Sequence, residues 1–286
     1  MPSPQLSIRH ALALGALQGP TELLPISSSA HTALLPWLAG WPYSELDPEL
    51  RKSFEVALHI GAGTALAIEM RAELLAAALA LDRRQASAIA LSLAPPALAG
   101  LTLQRAIERR LGGPRSIAAS LLAGALAMAL VERAGAPGEP ASGRSRSHLA
   151  LGDGLALGLA QALALIPGVS RNGATLVAAR ARGFDRADAE ALSWHAGLPV
   201  ILGAGALKAR ELARTAPAPG VRRALLAGGG AAFFSTLLSA RISRRSRREG
   251  RSLLGSSLYR GVLSAVVIAR LRARANAHAE HINLHE

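Results

Sequence analysis

The sequence predicts an all-α integral membrane protein with six transmembrane helices and two re-entrant helical hairpins, arranged as an inverted-topology repeat. Three observations predict this fold: apolar segments of membrane-spanning length, two apolar stretches interrupted by polar motifs, and a similarity between the two halves of the chain. The composition is 50% hydrophobic and 3% aromatic with 28 glycines, which agrees with close helix packing in lipid, where small residues let backbones approach.

Six apolar segments are suited to helices that cross the membrane, because about 20 residues span its hydrocarbon core. They are Phe54–Met70, Ala86–Leu103, Ser116–Val131, Ala187–Leu207, Arg223–Ala240 and Leu253–Ala269. Two further stretches, Leu6–Leu38 and Leu149–Arg180, are apolar but broken near their middles by Pro, Gly and hydroxyl residues. Each indicates a helix, a turn and a second helix. Such a hairpin is tolerated at membrane depth only where it is buried in protein or lines a cavity.

The two halves of the chain resemble each other around these interruptions. Residues 24–34 (LPISSSAHTAL) align with residues 166–176 (IPGVSRNGATL) with one gap, at an offset of 142 to 143 residues. Three predicted spans follow in each half, and an odd number of crossings inverts the second copy relative to the first. We therefore expect a single membrane domain built of two inverted repeats, about 1–143 and 144–286. Chance alignment of Ala-rich sequence is the alternative.

The net charge of +13 raises the question of a nucleic-acid partner. Only Lys52 and Lys208 are lysines, and the arginines lie between apolar segments instead of forming a stripe with interleaved aromatics. Basic loops that flank membrane spans explain this distribution better, so we expect a membrane environment and no nucleic acid. The absence of cysteine excludes a disulfide framework and thiolate chemistry.

The first interruption carries a carboxylate and a histidine, which are costly among apolar helices unless they have a function there. Residues 18–31 read QGPTELLPISSSAH. Gln18 and Glu22 are spaced i, i+4 and share one helix face, and Ser28 and His31 share a face of the next helix. A buried carboxylate near a histidine is a candidate acid/base pair, although structural pairs also occur.

The hydroxyls of this motif have two interpretations. Ser27, Ser28 and Ser29 stand at a predicted helix start, where a serine caps free backbone N–H groups. Capping alone accounts for any single serine. The same helix start also favours a bound anion, because its N–H groups and dipole point toward the site.

The second interruption, residues 167–175 (PGVSRNGAT), places Arg171 just after another helix-starting turn. A guanidinium beside free backbone N–H groups can grip phosphate oxygens bidentately. A structural ion pair, for example with Glu190, fits the spacing equally well.

These motifs resemble those of a known family. Residues 18–31 resemble the (E/Q)GxTE-LPxSSxGH region of the bacterial undecaprenyl-pyrophosphate phosphatases, also called bacitracin-resistance proteins, and residues 167–175 are similar to their PGxSRSGxT motif. Residues 54–67 (FEVALHIGAGTALA) resemble a third family block. The resemblance implies a multi-pass enzyme of the bacterial inner (cytoplasmic) membrane. It implies hydrolysis of undecaprenyl pyrophosphate to undecaprenyl phosphate and inorganic phosphate, which recycles the lipid carrier for cell-wall synthesis.

The same resemblance implies roles for individual residues. The catalytic candidates are Glu22, His31, Ser28 and Arg171. The candidates for binding the substrate phosphates are Gln18, Ser27, Ser29, Ser170, Asn172 and Thr175. In this interpretation Arg171 stabilises charge on the transferred phosphoryl group, and Ser28 or a water attacks phosphorus. Glu22 and His31 then move the proton and hold the nucleophile.

Three departures from the family pattern bear on this interpretation. Gln18 stands where many members have glutamate, Asn172 replaces the usual serine, and Ala30 replaces the usual glycine. Without a carboxylate pair, a divalent cation (Mg²⁺ or Ca²⁺) would rely on Glu22 and the lipid phosphates. A homodimer is compatible with the resemblance.

Two rival functions stay open at this point. Inverted repeats with polar sites near the membrane midplane are typical of secondary transporters, so a polyprenyl-phosphate flippase or transporter is the first. The second is an inactive homologue, suggested by Gln18.

Overall fold

The computed structural model describes residues 6–134, 143–215, 219–244 and 252–283, and these ranges are built almost wholly from α-helices. The helices are α1 (Ile8–Leu23), α2 (Ser28–Ala39), α3 (Pro48–Ala80), α4 (Arg83–Thr102), α5 (Gln104–Leu111), α6 (Pro114–Ala134), α7 (Leu151–Leu163), α8 (Arg171–Ala181), α9 (Arg186–Thr215), α10 (Pro219–Ile242) and α11 (Leu254–Asn283). Two short 3₁₀ turns lie at Pro42–Glu45 and Arg146–His148. The described ranges contain no β-strand, only an isolated bridge between Arg144 and Phe184.

The six predicted spanning segments form the bodies of α3, α4, α6, α9, α10 and α11. Within the described residues, three helices are long and apolar enough to cross a membrane: α6, α10 and the part of α11 from Leu254 to Ala277. Helices α4 and α5 meet at 69° and make a fourth if the bent pair is one span. Helices α3 and α9 are longer but carry charged side chains along their lengths, such as Glu55 and Glu190. The chain is therefore an all-helical membrane protein.

Apolar stripes on the outer helices agree with a lipid environment. The exposed residues recur mostly every four positions and are Leu122, Leu126 and Leu130 on α6, Phe234 and Leu238 on α10, and Leu258, Val262 and Val266 on α11. Residues at this spacing lie on one helix face. Large contiguous apolar patches are rare on soluble monomers, whereas lipid tails contact them without cost.

Both interrupted stretches fold as a helix, a turn and a second helix. The first turn joins α1 to α2, and the second joins α7 to α8. Gly168 adopts φ +95°, a left-handed conformation that glycine tolerates without steric cost. Serine caps then start the following helices: Ser27 Oγ accepts from the N–H of Ala30, and Ser170 Oγ accepts from the N–H of Gly173.

Close helix contacts position the two turns. Helix α1 packs on α10, α7 on α4, α6 on α11, and α3 against both α9 and α10. A Cβ at Gly15 would collide with the backbone of α10, and a Cβ at Gly154 would collide with the backbone of α4. Glycine therefore lets each hairpin lie directly against a long helix, as expected for packing in lipid.

Candidate active site

The Glu22 carboxylate lies at the centre of the candidate site and joins the two motifs. Its Oε1 accepts a hydrogen bond from Arg171 Nη2 at 3.0 Å, although the two residues are 149 positions apart. Its Oε2 accepts from Ser28 Oγ at 2.8 Å and from Gln18 Nε2 at 3.3 Å. The structure thus brings together four of the residues that the sequence nominated.

Two helix N-termini meet at this carboxylate, because Ser28 is the first residue of α2 and Arg171 is the first residue of α8. A second contact joins the turns: the N–H of Gly168 donates to Ser29 Oγ at 3.5 Å. Free N–H groups and the positive ends of two helix dipoles favour an anion at this point.

Asn172 adds a third contact between the hairpins. Its Nδ2 donates to the carbonyl of Leu23 at 3.0 Å, and its Oδ1 accepts from Ser193 Oγ at 2.8 Å. An amide donates from its nitrogen and accepts at its oxygen, so Asn172 makes both contacts at once. Ser193 also bonds with the hydroxyl of Thr175 at 2.5 Å, so the fully buried Thr175 supports this network beneath the Glu22–Arg171 pair.

Ser27 has strained backbone geometry. Its φ of 77° is the only positive φ of a non-glycine residue in the described part of the chain. Such conformations cost about 1–3 kcal/mol and collect at functional sites. The Ser27 hydroxyl lies 3.2 Å from Ser29 Oγ. The backbone carbonyl of Ser27 accepts a hydrogen bond from His31 Nδ1 at 2.7 Å.

His31 is fixed at both ring nitrogens. Because the Ser27 carbonyl can only accept, Nδ1 carries a proton and donates it there, and Nε2 is hydrogen-bonded to the Tyr259 hydroxyl at 2.6 Å. Within the described residues, neither Glu22 nor Ser28 is hydrogen-bonded to His31. The acid/base pairing of Glu22 with His31 is therefore not direct.

One nitrogen of the Arg171 guanidinium makes no hydrogen bond within the described residues. Its Nη2 binds Glu22, while its Nη1 is buried without a hydrogen-bond partner among the described residues. Gly197 of α9 leaves the space that Nη1 occupies, since a Cβ at that position would collide with it. Of the two interpretations of Arg171, the structure shows an ion pair, and the partner is Glu22; phosphate binding stays a prediction.

Few side chains of the site offer an oxygen that could bind a cation. Gln18 Oε1 is buried with no hydrogen-bond partner in the described ranges, while Nε2 of the same amide donates to the Glu22 carboxylate. The described residues contain no group of three or more His, Cys, Asp or Glu side chains that could hold a metal ion. Mg²⁺ and Ca²⁺ prefer oxygen ligands, so Glu22 and Gln18 fit such an ion only together with oxygens from a ligand.

The structure adds residues that the sequence analysis missed. Tyr259 and Arg260 come from α11, more than 220 positions after the first motif. Arg260 lies inside the predicted span Leu253–Ala269, and an ionisable residue within an apolar span is itself a sign of function. That sign was present in the sequence. No local pattern distinguishes Gly197 or Ser193 from other small residues of α9.

Comparisons with known proteins identify the family of this chain. The family model described as bacitracin resistance protein BacA matches residues 11–266. A protein of Geobacter sulfurreducens named undecaprenyl-diphosphatase is 40% identical over 281 residues, covering 94% of this chain and 100% of the relative. Proteins of the same name from Geobacter metallireducens and Moorella thermoacetica are 41% identical (77% of this chain, 82% of the relative) and 34% identical (92% and 98%). This chain therefore belongs to the bacitracin resistance protein BacA family.

Proposed function

We propose that this chain is a phosphatase that hydrolyses undecaprenyl pyrophosphate to undecaprenyl phosphate and inorganic phosphate, recycling the lipid carrier for cell-wall synthesis in the bacterial inner membrane. Its relatives of similar length carry the name undecaprenyl-diphosphatase. The observation that carries the proposal is the single carboxylate of Glu22, which holds both the Ser28 hydroxyl and the Arg171 guanidinium. A nucleophile, a base and a phosphate-binding cation are what phosphoryl transfer requires.

The topology proposed for this enzyme has six spans and two re-entrant hairpins in one domain of two inverted repeats, about 1–143 and 144–286. Helices α1, α2, α7 and α8 have 16, 12, 13 and 11 residues, below the ~20 needed to cross the membrane. The repeat relates α1 to α7 and α4 to α10, and α1 packs on α10 just as α7 packs on α4. Each hairpin therefore packs on the equivalent helix of the other half, which supports the inverted repeat. The homodimer stays a prediction.

Substrate binding in this proposal uses the two helix starts. Arg171 Nη1 and the N-termini of α2 and α8 bind oxygens of the terminal phosphate, and Arg171 Nη2 remains on Glu22. Ser29 and Ser170 lie at the same helix starts. The C55 chain extends along the apolar helix surfaces into the lipid.

The chemical step follows from the Ser28–Glu22 hydrogen bond of 2.8 Å. Glu22 takes the hydroxyl proton as Ser28 Oγ forms a bond to the terminal phosphorus. The bond between that phosphorus and the bridging oxygen breaks, and undecaprenyl phosphate leaves. Water then hydrolyses the phosphoserine and releases inorganic phosphate. Direct attack by a water held at Ser28 is the alternative route.

His31 serves the same reaction through its Nε2. With Nδ1 held by the Ser27 carbonyl, Nε2 is the ring atom that can accept or give a proton, and Tyr259 lies on it at 2.6 Å. Because the Tyr259 hydroxyl occupies that nitrogen, we assign His31 to proton transfer for the attacking water or the leaving group through the hydroxyl of Tyr259.

A divalent cation fits this site as a third partner of the phosphates. Glu22 and Gln18 Oε1 would hold it together with pyrophosphate oxygens, and the cation would supply charge neutralisation on those oxygens.

Replacing Gln18 by glutamate tests that assignment. Gln18→Glu adds a carboxylate beside Glu22, so we expect the Mg²⁺ or Ca²⁺ concentration for half-maximal activity to fall about tenfold, because ligand charge tunes affinity for these ions. The rise of the unfolding temperature with added Ca²⁺ should grow in parallel. Gln104→Glu on the remote α5 is the matched control. An unchanged metal requirement would contradict the assignment.

A methyl group at residue 197 should disable Arg171 without unfolding the protein. In Gly197→Ala the new Cβ displaces the flexible guanidinium, and misplacement of about 1 Å can cost about 10²-fold in rate. We expect kcat/KM to fall about 30- to 100-fold through both a lower kcat and a higher KM, because Arg171 binds the phosphate and stabilises the charge on it during transfer. Gly203→Ala on the same helix, with open space at its Cβ, should behave as the unsubstituted chain. Equal activity of the two variants would contradict a phosphate-binding role for Arg171.

The direct test of the proposed function is phosphate release by the purified protein from undecaprenyl pyrophosphate, with undecaprenyl phosphate identified as the lipid product. A folded protein that moves the lipid between leaflets of a vesicle but releases no phosphate would favour the flippase or transporter. Activity that arises only in Gln18→Glu would favour the inactive homologue. The names of the relatives and the Glu22–Ser28–Arg171 arrangement both favour the enzyme.

A further inference from the structure

The side chain of Arg260 in α11 is almost wholly buried, with 1% exposure. It donates to four backbone carbonyls: Leu121 at 3.3 Å, Pro25 at 3.2 Å, Ser120 at 3.2 Å and Gly168 at 3.0 Å. In the part of the chain that the structure describes, it forms no ion pair with a carboxylate. A buried guanidinium without a counter-ion is unusual, so its position needs a reason.

Two of these four carbonyls belong to the turns that precede α2 and α8, the helices that carry Ser28 and Arg171. Pro25 lies in the turn before α2, which starts at Ser28, and Gly168 lies in the turn before α8, which starts at Arg171. One side chain from a third element therefore holds both turns. A guanidinium suits this task because its donors form a rigid, planar fork.

The surrounding helices provide space for this contact. Gly124 of α6 faces the guanidinium, and a Cβ there would collide with Arg260 Nη2. The carbonyls of Ser120 and Leu121, one turn earlier on α6, fix the other donors. An apolar side chain would fill this volume without the cost of burying a charge. The guanidinium therefore contributes what an apolar side chain lacks, which is directed hydrogen bonds to the four carbonyls.

We propose that Arg260 is a positioning residue that sets the separation of the two turns and thereby aligns the Ser28 hydroxyl with the Arg171 guanidinium. It acts through backbone carbonyls and does not touch the substrate. This inference rests on the proposed phosphatase function. Tyr259, the neighbour of Arg260 in α11, contacts His31, so the same helix also positions a third side chain of the site.

The inference predicts that substitution of Arg260 affects the chemical step more than substrate binding. Arg260→Met keeps much of the length and removes the donors; we expect kcat to fall about 30-fold with KM changed by less than about threefold, because reaction depends more steeply on alignment than binding does. Arg260→Lys should recover part of kcat, since an ammonium can reach some of the carbonyls. Arg270→Met, at an exposed position of the same helix, is the matched control.

A second variant perturbs the contact while Arg260 stays in place. Gly124→Ala pushes a methyl against the guanidinium, and we expect the same loss of kcat with little change in KM. Gly261→Ala, where a Cβ meets open space, should keep full activity. If Arg260→Met fails to fold, Gly124→Ala decides the question.

A distance measurement tests the same inference without activity. The chain has no cysteine, so Ala39→Cys and Ala181→Cys place spin labels at the far ends of α2 and α8 only. We expect Arg260→Met or Gly124→Ala to broaden or shift the distance distribution between the labels. An unchanged distribution, an unchanged kcat, or a loss confined to KM in a folded variant would overturn the proposal. A reference protein that releases no phosphate would contradict the proposed function, while the distances would still test the role of Arg260.

Discussion

Glu22→Gln is expected to lower kcat about 10³-fold, within the range that a general base contributes, while KM does not rise. The substitution removes the base that accepts the Ser28 proton. It also frees Arg171 from its ion pair and removes a negative charge next to the incoming pyrophosphate, so binding of substrate should be maintained at a saturating concentration of the divalent cation, which offsets the loss of Glu22 as its ligand. Phosphate-release kinetics at several lipid concentrations separate the two effects.

The control for this substitution is Glu45→Gln, at an exposed position of the 3₁₀ turn after α2. Both proteins should be compared for thermal unfolding in detergent, because removing one partner of a buried ion pair is destabilising in its own right. A folded Glu22→Gln protein that keeps more than about a tenth of kcat would contradict the role of Glu22 as base.

The sequence predicted the elements of the site better than their pairing. Both hairpins and their serine caps follow from local rules: proline and glycine interrupt a helix, and a hydroxyl starts the next one. The contact of Gln18 with Glu22 follows from helical spacing alone. These features depend on neighbours in the chain, so a single sequence carries them.

Local sequence patterns do not predict contacts between elements that are distant in the chain. Arg171 was given two interpretations, and only the packing of α7–α8 against α1–α2 puts it on Glu22. The joint role of Glu22 and His31 stays a prediction, and the sequence gives no sign that the His31 imidazole contacts the Ser27 carbonyl and Tyr259. Gly197 and Gly124 leave room for the guanidinium groups of Arg171 and Arg260, and a single sequence does not show which glycines have this role.

The prediction of spans was limited by composition. Helices α6, α10 and α11 are uniform enough to be recognised by apolarity, but α3 and α9 combine apolar faces with charged residues. Each contributes to the protein interior: Leu66 of α3 and Trp194 of α9 share a buried cluster. Because a helix shielded by its neighbours contacts less lipid, its mean hydropathy is a weaker guide to whether it crosses the membrane.

The Glu22–Arg171 ion pair explains how the site can be stable before substrate arrives. A carboxylate and a guanidinium at this depth are each costly alone, and pairing offsets part of that cost. The pair leaves Nη1 of the guanidinium free, and Ser28 occupies the other carboxylate oxygen. The resting contacts are therefore those that the proposed reaction uses, so little reorganisation is needed when the pyrophosphate binds.

Ser28→Ala should be as damaging as Glu22→Gln if Ser28 is the covalent nucleophile. Removing the hydroxyl abolishes the phosphoserine route, and we expect kcat to fall about 10³-fold or more, as for other enzymes that lose a nucleophile acting together with its base. Substrate labelled in its terminal phosphate should leave label on the unsubstituted protein after an acid quench and none on Ser28→Ala. Ser87→Ala, an exposed serine whose hydroxyl donates to the Arg83 carbonyl of its own helix, is the control.

Combining the two substitutions separates the covalent route from direct attack by water. When nucleophile and base act as one unit, the double variant Ser28→Ala with Glu22→Gln should be hardly slower than either single variant, because each single change already removes the whole step. When water attacks directly with Glu22 as its base, Ser28→Ala should retain most of kcat and leave no labelled protein, and the double variant should match Glu22→Gln alone. Activity close to the unsubstituted level in Ser28→Ala would therefore refute the covalent step while keeping the hydrolytic function.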